Sequence, residues 1–245
     1  MCTLTWHRTA SRGYEVFFNR DEKKTRTRAE PPTRREAGGV RFLAPRDPDG
    51  GGTWMLANER GMVICLLNRW HEEAGPPART MESRGQLVWE LASLENLPAV
   101  EEHLRAVDLS RYRPWTLVAF DEVGEGGWEW NGHSLRETAL EMPLCSSSFR
   151  FEEVRTARQV RFSDLRASPP ESEGLLESFH AGSGEVPSAW TVRMCRSDAQ
   201  TMSRSHVVVQ EGKVTWKYWA EGPELVDEPV LTEMELGLRT LTNGG

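Results

Sequence analysis

Short apolar runs of the kind that form β-strands stand at both ends of the chain, with helical patterns between them. CTLTW (2–6) and YEVFF (14–18) flank a polar connection and predict an N-terminal hairpin. In the last third, TVRMC (191–195), SHVVVQ (205–210) and VTWKYW (214–219) are further strand-like runs. Antiparallel strands that are segregated from helices predict an α+β fold. The 245 residues are expected to form one domain, 1–245, that buries a sizeable core.

Helical patterns and a second set of strands make up the middle of the chain. Helices are predicted over 80–94, over PAVEEHLRAV (98–107) with its proline in the first turn, and over 153–167. WMLANERGMVICLLN (54–68) consists of two apolar runs around a polar turn, which is typical of a hairpin. PWTLVAFDE (114–122) adds another strand.

Charge limits the classes of partner. The net charge of −7 and the pI near 5.5 argue against a general nucleic-acid binder. The stretch from Arg20 to Arg46 has nine Lys or Arg against four Asp or Glu, so its net charge is +5 and the remainder carries −12. This stretch is also rich in proline and predicts a solvated loop, either a plain connection or a rim that attracts an anionic ligand.

The sequence also indicates a compartment. The N-terminus lacks the apolar region of a signal peptide, and no apolar stretch approaches the ~18 residues of a membrane helix. The four cysteines are widely spaced and form no CxxC pair, as expected of free thiols in a reducing compartment. We therefore expect a cytoplasmic protein without membrane partners. The histidines show no metal-ligand spacing, so no metal site is predicted.

Cys2 is the strongest catalytic candidate. An early cysteine is often inert, but a small residue at position 2 permits removal of Met1, which would give Cys2 a free α-amine. That amine has a reference pKa of ~7.7–8.0 and suits a general base for the thiol. Arg20 and Asp21, at the end of the second predicted strand, are candidates to favour the thiolate and to hold the ammonium. A charged strand end entering a charged loop is the plainer interpretation of these two residues.

Several motifs together resemble one family. They are an initial Met-Cys, NRDE (19–22), GGTW (51–54), SRGQLV (83–88) and a C-terminal block that begins CRSDAQTMSRS (195–205). In combination they resemble the NRDE family, also called Transport and Golgi organisation 2 proteins. The resemblance implies roles in haem trafficking or in lipid and acyl-CoA homeostasis.

A second resemblance is more distant and implies a mechanism. NERGMVICLLN (58–68) is similar to a segment of bile-salt hydrolases and penicillin V acylases, which are N-terminal nucleophile hydrolases. It implies a four-layer αββα sandwich in which Cys2 is the nucleophile. It also implies that Asn68 donates to the oxyanion and that Asp21 orients the new α-amine.

The chain departs from the acylase pattern in two places. Phe18 precedes Asn19 and Arg20 follows it, whereas the acylases have an arginine before the asparagine. Because neighbouring residues of a strand face opposite sides, this offset leaves open whether Arg20 faces Cys2. A later active-site asparagine is replaced by LCSSSF, which leaves Ser146 or Ser147 as stand-ins.

The resemblance also nominates residues for substrate contact. SSSFRFEEVR resembles an acylase stretch with an active-site arginine and nominates Arg155, although a helix-surface position is the plainer interpretation. Asn19 and Trp54 are further candidates for substrate contact.

Two functions follow from these observations. The first is a cysteine N-terminal nucleophile hydrolase or acyltransferase that acts on the C–N amide bond of a small molecule and needs no cofactor. The second is a non-catalytic protein on the same scaffold that binds and carries haem or a lipid or acyl-CoA-like ligand. The sequence leaves the oligomeric state open.

Overall fold

A computed structural model of the chain describes residues 2–9, 13–70, 81–167, 174–225 and 227–239. The strands are β1 (Cys2–Arg8), β2 (Tyr14–Lys23), β3 (Glu30–Ala37), β4 (Val40–Arg46), β5 (Met55–Asn58), β6 (Val63–Asn68), β7 (Trp115–Phe120), β8 (Glu125–Trp130), β9 (Leu135–Glu137), β10 (Leu144–Ser146), β11 (Ala199–Gln210), β12 (Lys213–Ala220) and β13 (Val230–Gly237). The helices are α1 (Arg84–Glu90), α2 (Leu97–Ala106), α3 (Phe151–Ala167) and α4 (Leu175–Ala181).

The strands form two antiparallel sheets. The first sheet has the order β10-β1-β2-β11-β12-β13, so the two ends of the chain meet in it. The second sheet runs β3-β4-β5-β6-β7-β8-β9 in simple sequence order. Short turns suffice to connect most antiparallel neighbours of this kind, whereas β6 and β7 are joined by the long segment that contains α1 and α2.

The two sheets pack face to face. Alternate residues of β1 and β2, among them Leu4, Val16 and Phe18, belong to one buried cluster with Met55 and Val118 of the second sheet. Because side chains alternate along a strand, the residues between them point to the outer face of the first sheet. Each large apolar side chain fully buried in this layer contributes about 1.5–3 kcal/mol to stability.

Helices cover both outer faces. Val88 of α1 and Leu104 of α2 pack with Ile64 and Leu117 on the outer face of the second sheet. On the first sheet, Phe162 of α3 meets Phe179 of α4 edge to face, and α4 contacts β1, β2 and β11. The layers therefore follow the expected αββα order. Within the described ranges, no helix is both long and apolar enough to cross a membrane.

Most predicted elements are confirmed. β1 and β2 form the N-terminal hairpin, β5 and β6 the second one, and α2 and α3 lie where helical spacing indicates. The first predicted helix is shorter than expected: α1 begins at Arg84, and residue 80 lies outside the described residues.

The basic stretch from Arg20 to Arg46 is not a loop, so this prediction was wrong. It contains the end of β2 and all of β3 and β4. β3 is an edge strand whose register shifts between Glu30 and Thr33, where two prolines stand. Proline is tolerated at such an edge because it removes no hydrogen bond from the interior of the sheet.

TVRMC (191–195) is not a strand either. The Thr191 hydroxyl accepts a hydrogen bond from the Ser188 amide at 2.8 Å and donates to the Arg193 carbonyl at 2.9 Å. These local side-chain-to-backbone bonds fold the segment into turns, a competition that an apolar pattern does not reveal.

Candidate active site

Cys2 lies between two neighbouring strands. It is the first residue of β1, its register partner on β2 is Arg20, and its partner on β10 is Ser146. Directly opposed residues of antiparallel strands carry their side chains on the same face. The three side chains therefore share the face that looks toward the second sheet, where Cys2 is 6% exposed.

Arg20 reaches across from the first sheet to the second. Its guanidinium lies over the Trp54 ring at 4.4 Å and is 3.6 Å from a carboxylate oxygen of Asp47. It also lies 3.5 Å from Glu22. The sequence left the orientation of Arg20 open, and the structure places it on the Cys2 face because the hairpin register sets the two residues opposite each other.

The Cys2 thiol is held in its protonated form. Burial raises the pKa of this thiol above its ordinary value. The chain's amino terminus and Arg20 lower the pKa again, and Asp21 raises it, but burial is the largest influence. A nucleophilic reaction at neutral pH would therefore need a base next to the sulfur.

Replacing Arg20 with methionine should move the pKa of the Cys2 thiol further upward, because the substitution removes a cation that stabilises the thiolate. The pH dependence of Cys2 alkylation by iodoacetamide, read from peptide masses, measures this shift. The Arg20→Lys variant keeps the charge and is the matched control, with a smaller shift. If the pH midpoint of Cys2 alkylation in Arg20→Met is unchanged or lower than in the wild-type protein, Arg20 does not stabilise the thiolate.

Two adjoining cavities open beside Cys2. The main cavity, about 990 Å³, is lined among others by Cys2, Arg20, Trp54 and Asn68. The side cavity, about 420 Å³, lies next to it and shares Asn68 and Trp70 with it. With Asp21, which also contributes to the lining, five of the predicted site residues therefore meet at one cavity.

A close backbone contact fixes one wall of the main cavity. A Cβ atom on Gly52 would lie 2.3 Å from the carbonyl carbon of Gly85, so only glycine allows this approach. The Thr53 amide donates to the Gly85 carbonyl at 3.2 Å. The GGTW and SRGQLV segments thus pack backbone to backbone, and this contact holds Arg84 at the cavity wall.

Asp21 lies next to the register partner of Cys2 and is paired with Arg158, an arginine that was not predicted as a site residue. Its carboxylate accepts from the Thr201 hydroxyl at 2.7 Å and from Arg158 at 3.2 Å. Arg158, from α3, also donates to the Thr3 hydroxyl at 2.5 Å. Both charged side chains are completely buried. One signal was available: Arg158 stands four residues after Val154 and four before Phe162, within the apolar stripe of α3.

Asn19, a predicted substrate-binding residue, is not among the residues that line either cavity. Its amide nitrogen donates to the carbonyls of His180 and Val192, on the outer face of the first sheet. Burial lowers the pKa of His180 well below its ordinary value, so the ring is neutral. It donates from Nδ1 to Asn19 Oδ1 at 2.8 Å and accepts at Nε2 from Thr5 at 2.9 Å. Asn19 therefore fastens α4 to the sheet.

The serine and arginine candidates separate into two groups. Ser146, beside Cys2, lines the side cavity, and its buried hydroxyl has no hydrogen-bond partner among the described residues. Ser147 also lines the side cavity, but its hydroxyl donates to the Phe149 carbonyl at 2.5 Å and holds the turn before α3. Arg155 lies at the rim of the side cavity in an exposed ion pair with Glu152. The catalytic role of Cys2 depends on removal of Met1, which the sequence leaves open and which lies outside the described part of the chain.

Known proteins resemble this chain in sequence and in fold. The family model described as Transport and Golgi organisation 2 matches residues 1–135, more than half of the chain. No curated protein shows significant similarity.

Three solved structures illustrate the likeness in fold. The C2A mutant of a conjugated bile acid hydrolase from Clostridium perfringens is 12% identical, with 96% of this chain and 92% of that chain covered and a TM-score of 0.52. Penicillin V acylase from Agrobacterium tumefaciens is 14% identical, with 96% and 86% covered and a TM-score of 0.54. The Caenorhabditis elegans ortholog of N-acylethanolamine-hydrolyzing acid amidase is 8% identical, with 84% and 92% covered and a TM-score of 0.55. The N-terminal nucleophile hydrolase fold expected from the sequence is thereby confirmed.

Proposed function

The chain belongs to the Transport and Golgi organisation 2 family, and from this membership and the cavity around Cys2 we propose a cysteine N-terminal nucleophile hydrolase or acyltransferase that acts on a small-molecule amide. The observation that carries the proposal is the position of Cys2. Its thiol lines a cavity of about 990 Å³, directly opposite Arg20 and together with Asn68. A cysteine nucleophile needs a base beside its sulfur, and at the first position of a chain its own α-amine can be that base.

The proposed reaction needs only Cys2, its own amine and water. After removal of Met1, the α-amine takes the thiol proton, and the thiolate sulfur bonds to the amide carbon. The C–N bond breaks as the ammonium returns the proton to the leaving nitrogen, which gives a thioester. Water then attacks the thioester, with the same amine as base, and releases the acid. The pKa of the buried thiol is raised, which supports the need for this base.

Two polar groups are suited to stabilise the oxyanion. Asn68 ends β6 and lines both cavities, and within the described residues its side-chain amide has no recorded partner. The Ser146 hydroxyl, unpartnered within the same described residues, is buried on the Cys2 face. A single well-placed donor of this type contributes about 2.7–4 kcal/mol to the stabilisation of the transition state.

The Asp21–Arg158 pair is suited to orient the amine. Asp21 stands one residue beyond the register partner of Cys2, and Arg158 and Thr201 fix the carboxylate from behind. A carboxylate with so little freedom would hold an ammonium in one position, which keeps the base close to the sulfur. Positioning of this kind is a large part of the catalytic effect in enzymes.

The test combines intact mass with trapping of the thioester. We expect native protein that lacks one methionine residue and that gains an acyl group when quenched during incubation with penicillin V, a conjugated bile acid or an N-acylethanolamine. These compounds represent the substrate classes in the names of the three structural neighbours. Retention of Met1 together with no adduct would overturn the proposal and favour the alternative, non-catalytic binding of haem or an acyl-CoA-like ligand.

A further inference from the structure

Two arginines in the wall of the main cavity have no acidic partner in the described part of the chain. Arg84 begins α1, and Arg113 stands two residues before β7. The recorded polar contact of Arg84 is a donation to the Pro114 carbonyl at 2.9 Å. Its guanidinium also lies 5.7 Å from the ring of Trp70, which lines the same cavity. Most of the donors on Arg84 are therefore left for a ligand.

The other main charges of the cavity neutralise one another. Arg26 lies 2.5 Å from Asp47, and Arg20 bridges Asp47 and Glu22. Asp21 is paired with Arg158 behind the sheet. Glu82 lies 3.5 Å from Arg111, which is not among the lining residues. Asp49, the remaining carboxylate of the lining, lies 3.9 Å from Arg26. The lining therefore has five basic and five acidic side chains, and Arg84 and Arg113 are its two arginines without a carboxylate partner in the described part of the chain.

Electrostatics support the same assignment. Burial is the main cause that lowers the pKa of Arg84 to about 10, with a smaller contribution from the like charge of Arg113, and Cys2 and Glu22 act in the opposite direction. Burial and the like charge both disfavour the charged form of an arginine that lacks a counter-ion, and a bound anion would relieve them. A carboxylate fits this position because guanidinium groups bind it through paired, charge-assisted hydrogen bonds.

We propose that Arg84 and Arg113 form a subsite for a carboxylate of the substrate, so that the amide cleaved at Cys2 belongs to a molecule with a negative charge at one end. Trp54, next to Arg20, and Trp70, near Arg84, provide apolar surface in the same cavity. The identification of the anion as part of a substrate rests on the proposed function. The subsite itself would attract a carboxylate whether or not Cys2 cleaves amides.

The test compares two thiol reagents of similar size, neutral N-ethylmaleimide and 3-maleimidopropionate, which carries a carboxylate. The rate of modification of Cys2 by each is measured from peptide masses, and their ratio cancels any change in thiolate population. We expect the ratio of anionic to neutral reagent to fall about tenfold in Arg84→Met, the lower end of the range for charged clefts. A smaller fall is expected in Arg113→Met, because that side chain is exposed.

The matched control is Arg105→Met, which removes an equal charge from an exposed ion pair on α2, outside the main cavity. In this variant, the ratio of the anionic to the neutral labelling rate should equal that of the wild-type protein. Unchanged ratios in both Arg84→Met and Arg113→Met would overturn the subsite, and the exposed Arg113 keeps the test valid should Arg84→Met fail to fold. The labelling needs no turnover. If the protein cleaves amides but both arginine variants keep the wild-type ratio, only the subsite is refuted. If the ratio falls in the variants but the wild-type protein never forms an acyl adduct, only the proposed function is refuted.

Discussion

Replacing Cys2 with alanine should abolish amide cleavage and the acyl adduct, while the protein still folds. Removal of the nucleophile from an enzyme of this type lowers the rate by more than about 10³-fold. The thiol is small and lies at the beginning of β1, so its loss leaves the β1–β2–β10 pairing in place. The assay is release of the amine product, measured together with thermal unfolding.

Cys65→Ala is the matched control for this experiment. Cys65 is a buried free thiol in the same layer between the sheets, but it does not line the main cavity. Its variant should lose a comparable amount of stability through the small cavity that it creates, and keep full activity. Undiminished turnover in Cys2→Ala would rule out the nucleophile, and equal losses of turnover in both variants would indicate a packing defect instead of a chemical one.

The second large effect is expected at Arg158. Its replacement by methionine should lower the free energy of unfolding by about 3–5 kcal/mol, because Asp21 would keep a buried charge without its counter-ion. The substitution also removes the hydrogen bonds to Thr3 and to the Thr191 carbonyl, which connect α3 to β1 and to the segment before β11. Urea unfolding measures the loss.

Arg155 offers a comparison on the same helix. Arg155→Met breaks an ion pair with Glu152 that is about half exposed, and such surface pairs are worth about 0–1 kcal/mol. The double variant Asp21→Asn with Arg158→Met should be less destabilised than the sum of the two single variants, since neither charge is left alone. A loss for Arg158→Met as small as that for Arg155→Met would show that the buried pair contributes nothing to stability.

The sequence predicted the local part of the site. The hairpin of β1 and β2 and the acidic residue at its end follow from alternating apolar residues and turn chemistry within some twenty positions, and Cys2 and Asp21 were recognised there. The orientation of Arg20 could not be predicted. It depends on the register between the two strands, and a shift of one residue would turn every side chain of β2 to the other face.

Local patterns could not predict the long-range contacts of the site, although the resemblance to the acylases nominated Ser146. Ser146 meets Cys2 through β10, and Arg158 meets Asp21 from α3, each more than 130 positions along the chain. No local pattern encodes which helix covers which sheet. β3 was missed for another reason: its charged residues and prolines suit an exposed edge strand as well as a loop, and only the sheet beside it distinguishes the two.

The alternation along β2 has a consequence for genetics. Asn19 and Asp21 fasten helices behind the first sheet, whereas Arg20, between them, reaches into the cavity. Adjacent codons of one short motif would therefore produce two kinds of loss-of-function allele. Alleles at Asn19 would deplete the protein by loosening α4, whereas alleles at Arg20 would act first on the cavity, by removing the positive charge opposite Cys2 and one partner of Asp47 and Glu22.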